Sequence, residues 1–236
     1  MKNSFIKILF AGWDYLSTYI LMKILESTPS RYDRGISILT LGKLDESYDR
    51  LIAHVQKRER VLDIGCGTGR LTLKAALKGA MVKGIDINAQ MLEIAQKRVM
   101  EAKLSKTVKL SEMGVAELEN EESNSYDIVM SGLCFSELTE NEIKYTLNEV
   151  KRILKPDGLL LIADEVKPKS ISKRFLHGFI KILLMIVTYL ITQNTTHAVQ
   201  GLPEKIKAIG LKLESVRLNR GENFMELIAK KEKKEI

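Results

Sequence analysis

The residues best suited to chemistry lie between Val61 and Arg70, where the chain reads Val-Leu-Asp-Ile-Gly-Cys-Gly-Thr-Gly-Arg. A short apolar run, read as a strand, meets the turn Gly65-Cys66-Gly67-Thr68-Gly69, and helical text follows. Glycines let the backbone turn sharply and approach a ligand with no Cβ in between. The first turn of a helix adds N–H groups that no helical carbonyl claims. Asp86 stands twenty-one residues after Gly65, at the end of the next strand. In a dinucleotide fold an acid there accepts ribose hydroxyls, and one charged hydrogen bond is worth ~1.5–3 kcal/mol. A nucleotide-type ligand is expected. The pattern is G-x-G-x-G, however, and Arg70 fills the third-glycine place of the dinucleotide fingerprint. Asp63, two residues before the first glycine, would repel a pyrophosphate and suit a ligand with a cationic amino group.

A second group of candidates follows a later strand, in Ser131–Leu138, Ser-Gly-Leu-Cys-Phe-Ser-Glu-Leu. Open parallel sheets place their ligands at such carboxyl ends. Glu137 can serve there as a base or as a hydrogen-bond acceptor, and equally as part of the next helix's cap. Cys134 reads as a small buried hydrophobe rather than a nucleophile, and Cys66 as packing against the ligand. Tyr32 and Tyr48 can close over a bound ligand or simply pack helix on sheet. Asp164 and Glu165 end another strand on the same face. His54, His177 and His197 lack metal-ligand spacing, so no metal is expected.

These residues need a scaffold, and the text alternates helix and strand. Helical spacing covers Phe5–Glu26, Leu44–Gln56, Arg70–Lys78, Ala89–Ala102 (with Asn88 as N-cap), Glu140–Leu154 and Leu202–Ile209. Strands are expected at Arg60–Ile64, Met81–Ile85, Val108–Leu110, Asp127–Met130 and Leu159–Ala163. Two more, Lys212–Leu218 and Phe224–Ala229, flank the tight turn Asn219-Arg220-Gly221 and should form an antiparallel hairpin at the sheet edge. Such alternation predicts a mostly parallel sheet with helices on both faces. The expected organisation is an N-terminal helical cap over 1–58, then one domain over 59–236 with a helical insertion at 167–200.

Among 236 residues, 45% are hydrophobic and 28% charged, which excludes disordered, collagenous and coiled-coil classes. Two cysteines cannot build a disulfide framework and fit a reducing, cytoplasmic setting. The net charge of +7 is uneven. Residues 1–60 carry 10 basic against 7 acidic side chains, 61–166 carry 13 against 17, and 167–236 carry 14 against 6. No aromatic platform accompanies the basic residues, which argues against a nucleic-acid partner. The apolar segment 169–192 is interrupted by Lys181 and is too short on its charge-free side to span a bilayer. It is expected to be a substrate-covering lid, a homodimer contact or a peripheral membrane-surface helix.

Four segments in order, Val-Leu-Asp-Ile-Gly-Cys-Gly-Thr-Gly, Gly84–Asn88, Tyr126–Ser131 and Leu154–Asp164, closely resemble class I S-adenosylmethionine-dependent methyltransferases. The resemblance covers roughly 60–164 and implies a Rossmann-like seven-stranded sheet. Ser30-Arg31-Tyr32-Asp33 is similar to a segment of the ubiquinone and menaquinone C-methyltransferases. Taken whole, the chain is most similar to corrinoid-protein-associated methyltransferases. The resemblance implies S-adenosylmethionine as cofactor and a small or medium organic acceptor, with a corrinoid protein as one candidate partner; the alternatives are methylation of a quinone or lipid-like substrate at the membrane surface, and an accessory protein that binds S-adenosylmethionine without catalysis. It further implies that Gly65, Cys66, Gly67, Thr68 and Gly69 face the cofactor's methionine part, with Asp63 near its amino group. Asp86 would hold the ribose, Ile87 and Met91 the adenine, with Val115, Ala116 and Ser131 completing the site. One departure stands out: many members carry an acid for the adenine amino group where this chain has Val115, leaving Glu117, a backbone carbonyl or water for that task.

Overall fold

The computed structural model describes residues 43–166, 199–219 and 222–233. The expected helix Phe5–Glu26, Tyr32, the segment 169–192, His177 and His197 lie outside them, as do most of the expected cap and insertion.

Helix α1 (Lys43–Ile52) leads into β1 (Arg60–Ile64) and α2 (Arg70–Leu77). Then come β2 (Met81–Asp86), α3 (Ala89–Glu101), β3 (Val108–Glu112) and a 3-10 turn at Val115–Asn120. Strand β4 (Tyr126–Gly132) ends in a second 3-10 turn at Phe135–Glu137, followed by α4 (Glu140–Ile153) and β5 (Leu154–Glu165). Helix α5 (Leu202–Ala208), β6 (Lys212–Leu218) and β7 (Phe224–Lys230) close the chain. The seven strands form one sheet in the order β3-β2-β1-β4-β5-β7-β6. The first five run parallel, while β7 pairs antiparallel with both β5 and β6.

Alternation along β1 explains the two cores. Leu62 and Ile64 face one side, where they pack with Leu147 and Val150 of α4 and Ile206 of α5. Val61 faces the other, with Leu51 of α1 and Leu71 and Ala75 of α2. Period two therefore places Asp63 on the α1–α2 side. Helix α1 is tied to the sheet by Glu226 of β7, whose carboxylate accepts from Ser47 Oγ at 2.9 Å and Arg50 Nε at 2.8 Å. Asn88 caps α3 as its side chain predicts, its Oδ1 accepting from the N–H groups of Gln90 and Met91.

Several boundaries differ from the sequence reading, three of them with a clear local cause. Helix α1 stops at Ile52, because His54 and Val55 N–H bond three residues back and Arg58 turns left-handed (φ 70°). Val55 keeps its apolar role by packing from a turn. Strand β4 extends to Gly132, and β5 begins five residues early at Leu154, paired with Tyr126 across an irregular register. The interrupting Lys155-Pro156-Asp157-Gly158, with Asp157 at φ 66°, carries turn chemistry inside a strand and so hides its first part.

The chain leaves β1 for β2 and β3 on one side, then crosses back to β4 and β5 on the other. Ile64 is level with Ile85 of β2 and Ser131 of β4, so Gly65, Asp86 and Gly132 emerge in one row. That row marks the topological switch point, where open α/β sheets hold their ligands.

Candidate active site

The turn after β1 is built on left-handed backbone, with φ of 67°, 51° and 80° at Gly65, Gly67 and Gly69. Gly65 also has no room for a side chain, since a Cβ would stand 2.5 Å from Cys134 Cβ. A Cβ on Gly67 would meet nothing within 4 Å, so that glycine faces open space. Asp86 holds this turn in place: its Oδ2 accepts from Gly67 N–H at 2.8 Å, and its Oδ1 accepts from Asn88 N–H at 2.8 Å. One carboxylate thus fixes the glycine loop and the entry to α3 together.

Above the strand ends lies a cavity of about 400 Å³. Gly65, Gly67, Asp86, Ile87, Met91, Val115, Ala116 and Glu137, all expected at the site, line it. Asp63, Cys66 and Thr68 instead line a smaller neighbour of about 40 Å³, which shares Gly65, Gly67, Gly132 and Leu133 with the first. Gly69 and Ser131 line neither. Gly69 caps α2 and approaches Ala95 of α3, and Ser131 is fully buried, its Oγ donating to Ile64 carbonyl at 2.9 Å. Ser131 therefore locks β4 to β1 rather than facing a ligand. Glu117 does not line the cavity either, for its Oε2 accepts from Gly114 N–H.

Residues of the larger wall that the sequence did not single out include Met113 and Glu142, while Leu133 and Leu138 lie in the candidate segment Ser131–Leu138 with no role of their own assigned. Leu133 is a bulky side chain on left-handed backbone (φ 62°), held by its N–H to Ala163 carbonyl at 2.9 Å. Apolar residues at strand ends look like core in a sequence; a positive φ at leucine has no sequence signal. Glu142 has an N-cap signature, and it does cap α4 through Thr139.

The electrostatics separate the acids. Burial pushes the Asp63 carboxyl up to about 7, against the hydrogen bond from Thr72 Oγ1 at 2.6 Å and with the Asp86 charge adding to the rise. Burial likewise pushes Asp164 up to about 6, although the Ser136 and Glu165 N–H groups donate to it. Both cysteine thiols are pushed well up by burial, so neither is a thiolate nucleophile at neutral pH. Among the described residues, no group of acids, histidines and cysteines could hold a metal ion, and no helix is long and apolar enough to cross a membrane.

Asp63 has a direct consequence for stability. Its folded-state affinity for a proton exceeds that of an unfolded aspartate, so the folded protein keeps a proton that the unfolded chain loses. Ligand-free stability should therefore fall as pH rises from about 4 to about 7, by roughly 3 kcal/mol from this group. Asp63→Asn should flatten that slope, and urea midpoints between pH 5 and 8 would measure it. An unchanged slope would mean that Asp63 is ionised in the folded protein.

The site suits a ligand that has both an aminoacyl end and a nucleoside. Asp63 Oδ1 is buried with no hydrogen-bond partner among the described residues, an acceptor that calls for a donor such as an ammonium group. Gly67 leaves the loop open to close approach, Asp86 offers oxygens level with it, and Ile87, Met91 and Val115 supply an apolar wall.

Comparison with known proteins agrees. Residues 61–158 match the family model described as a methyltransferase domain. A protein of Geobacillus sp., named as a methyltransferase with no stated acceptor, is 35% identical over 48% of this chain and 49% of its own. A demethylmenaquinone methyltransferase of Symbiobacterium thermophilum is 28% identical over 65% of this chain and 62% of its own. The chain thus spans about half to two thirds of the length of these relatives. A solved S-adenosylmethionine-dependent methyltransferase of Methanosarcina mazei shares the fold, with a TM-score of 0.60 at 20% identity over 76% of this chain and 95% of that one. The glycine turn and the acid at the end of β2 thus lie in the stretch that matches a methyltransferase domain, the closing antiparallel strands complete a fold shared with solved methyltransferases, and S-adenosylmethionine is the cofactor this similarity implies.

Proposed function

We propose that this protein transfers the methyl group of S-adenosylmethionine to a small or medium organic acceptor, and that the acceptor is an aromatic ring of the quinone class. The observation that carries the reading is the convergence of Gly67, Asp86 and Asp63, whose Oδ1 has no partner among the described residues, on adjoining cavities at the switch point. Relatives named as demethylmenaquinone methyltransferases support the acceptor class. A corrinoid partner rests on the sequence resemblance alone.

The cofactor supplies a methyl group made electrophilic by its sulfonium. What remains for the protein is to hold two reactants in line and to exclude water, and such positioning can supply ~7–11 kcal/mol. Asp86 would hold the ribose hydroxyls, Asp63 the amino group, and Ile87, Met91 and Val115 the adenine. Glu137 stands exposed at the cavity wall, where it would take up a proton released from the acceptor. Residues 1–58 and 167–200, as cap and insertion, would cover the acceptor, and the apolar 169–192 suits a lid, a second copy or a membrane surface.

The test is calorimetric titration with S-adenosylmethionine beside NADH, followed by assay for S-adenosylhomocysteine in the presence of a short-chain demethylmenaquinone. Binding of the first alone, with turnover on the quinone, is the expected result. Tight NADH binding would overturn the cofactor assignment. Cofactor binding without turnover on the quinone would overturn the acceptor.

A further inference from the structure

One buried acid near the switch point touches no ligand cavity. Asp164, near the end of β5, is fully buried and lines neither the larger nor the smaller space. Its Oδ1 accepts from Glu165 N–H at 2.7 Å and its Oδ2 from Ser136 N–H at 3.3 Å. The Ser136 side chain and the Phe135 N–H group face the same carboxylate. Both residues open the 3-10 turn Phe135–Glu137, where the first N–H groups have no carbonyl of the turn to bond. Cys134, just before the turn, provides no side-chain cap. Asp164 therefore caps this turn from a neighbouring strand.

The capped turn forms part of the larger cavity. Strands β2 and β4 lie on opposite sides of β1, so the cavity has two walls. Asp86, Ile87, Met91 and Val115 belong to the first, to which the nucleoside is assigned. Leu133, Cys134, Glu137 and Leu138 form the second, which is left to the reacting end and its acceptor. The end of β5 holds that second wall twice, by Asp164 at the turn and by Ala163 carbonyl, which accepts from Leu133 N–H at 2.9 Å. Between these two points Cys134 stands against Gly65, whose Cβ, if present, would lie 2.5 Å from it.

We propose that Asp164 is a positioning residue for methyl transfer, acting through the turn Phe135–Glu137 to set where Glu137 and Leu138 stand beside the acceptor. The proposal rests on the reading of this protein as a methyltransferase. Alignment of the reactants is the protein's main contribution, and a displacement of ~1 Å can cost ~100-fold in rate. Both oxygens of Asp164 accept from backbone N–H groups, so an asparagine of equal size must turn its amide nitrogen toward one of these donors.

Asp164→Asn, Glu137→Gln and the double variant test this role, with S-adenosylmethionine and a short-chain demethylmenaquinone as substrates. Asp164→Asn should lower kcat by ~30-fold while the calorimetric Kd for S-adenosylmethionine stays within about threefold. In the Glu137→Gln background the same change should cost less than about threefold more, because Glu137 no longer needs placing. A purely structural role would instead weaken cofactor binding along with kcat, and its losses would multiply in the double variant. Either of those results overturns the proposal. Should Asp164→Asn fail to fold, Ser136→Ala removes one partner of the carboxylate and carries the same comparison at a smaller loss. Wild-type protein that binds S-adenosylmethionine but leaves the quinone unmethylated would overturn the acceptor class alone. Amide hydrogen exchange in the S-adenosylhomocysteine complex then decides the role of Asp164. Asp164→Asn should speed exchange at Ser136 by ~10-fold or more and leave α3 unchanged, whereas an unchanged rate at Ser136 overturns the proposal.

Discussion

Replacing Asp86 with alanine is expected to weaken S-adenosylmethionine binding by ~100-fold or more, a loss of about 3 kcal/mol. Two effects add. The variant removes a charged acceptor from the ribose position, and it frees the N–H groups of Gly67 and Asn88, which the carboxylate holds at 2.8 Å each. The glycine loop and the start of α3 then lose their common anchor. Asp86→Asn should be nearly as damaging, which would not hold for a residue that merely fills space. Both carboxylate oxygens accept from backbone N–H groups, so the amide nitrogen of asparagine must face one of these donors. Titration calorimetry on both variants, with melting temperatures as a control for folding, tests the argument. Affinity within a few-fold of wild type in Asp86→Ala would show that the ribose is held elsewhere.

The second large effect is expected at Gly65. Alanine there must adopt φ 67°, at ~1–2 kcal/mol, and must place its methyl 2.5 Å from Cys134 Cβ. Cβ is not the far end of a flexible chain, so β1 and the loop after β4 would have to separate. A total cost of roughly 3 kcal/mol or more follows. Cys134→Gly in the same chain removes the collision but not the backbone strain, so it should recover about half of the loss. Denaturant midpoints of the two single variants and the double variant measure the coupling. Additive costs would mean that the two residues do not touch in solution.

Much of this site was legible in the sequence, for reasons that can be named. Glycines at 65, 67 and 69 and an acid at 86 are written in residue types that few other tasks require, and all seven strands follow from apolar runs punctuated by turns. What stayed hidden depended on direction. Ser131 sits at the right end of the right strand, yet its hydroxyl turns inward to Ile64 carbonyl. In the sequence Asp63 and Asp86 read as holding different ligand groups, but only the fold shows that the first is buried with Oδ1 lacking a partner among the described residues while the second accepts from two backbone donors. Arg70 looked like a missing glycine. Its pairing with Asp45, twenty-five residues earlier, lies beyond any local pattern.

The crossing between β1 and β4 also has a consequence for how the molecule is made. Ile64 and Ser131, which flank the crevice, are 67 residues apart in the chain, so their pairing closes a loop of that length. Loop closure over such a distance delays non-local pairing relative to local helix formation. The β1–α2 segment can acquire its secondary structure early, but the two walls of the crevice join only when β4 docks beside β1. Competence to capture a ligand is therefore a late property of the folding chain, acquired after most of its helical content.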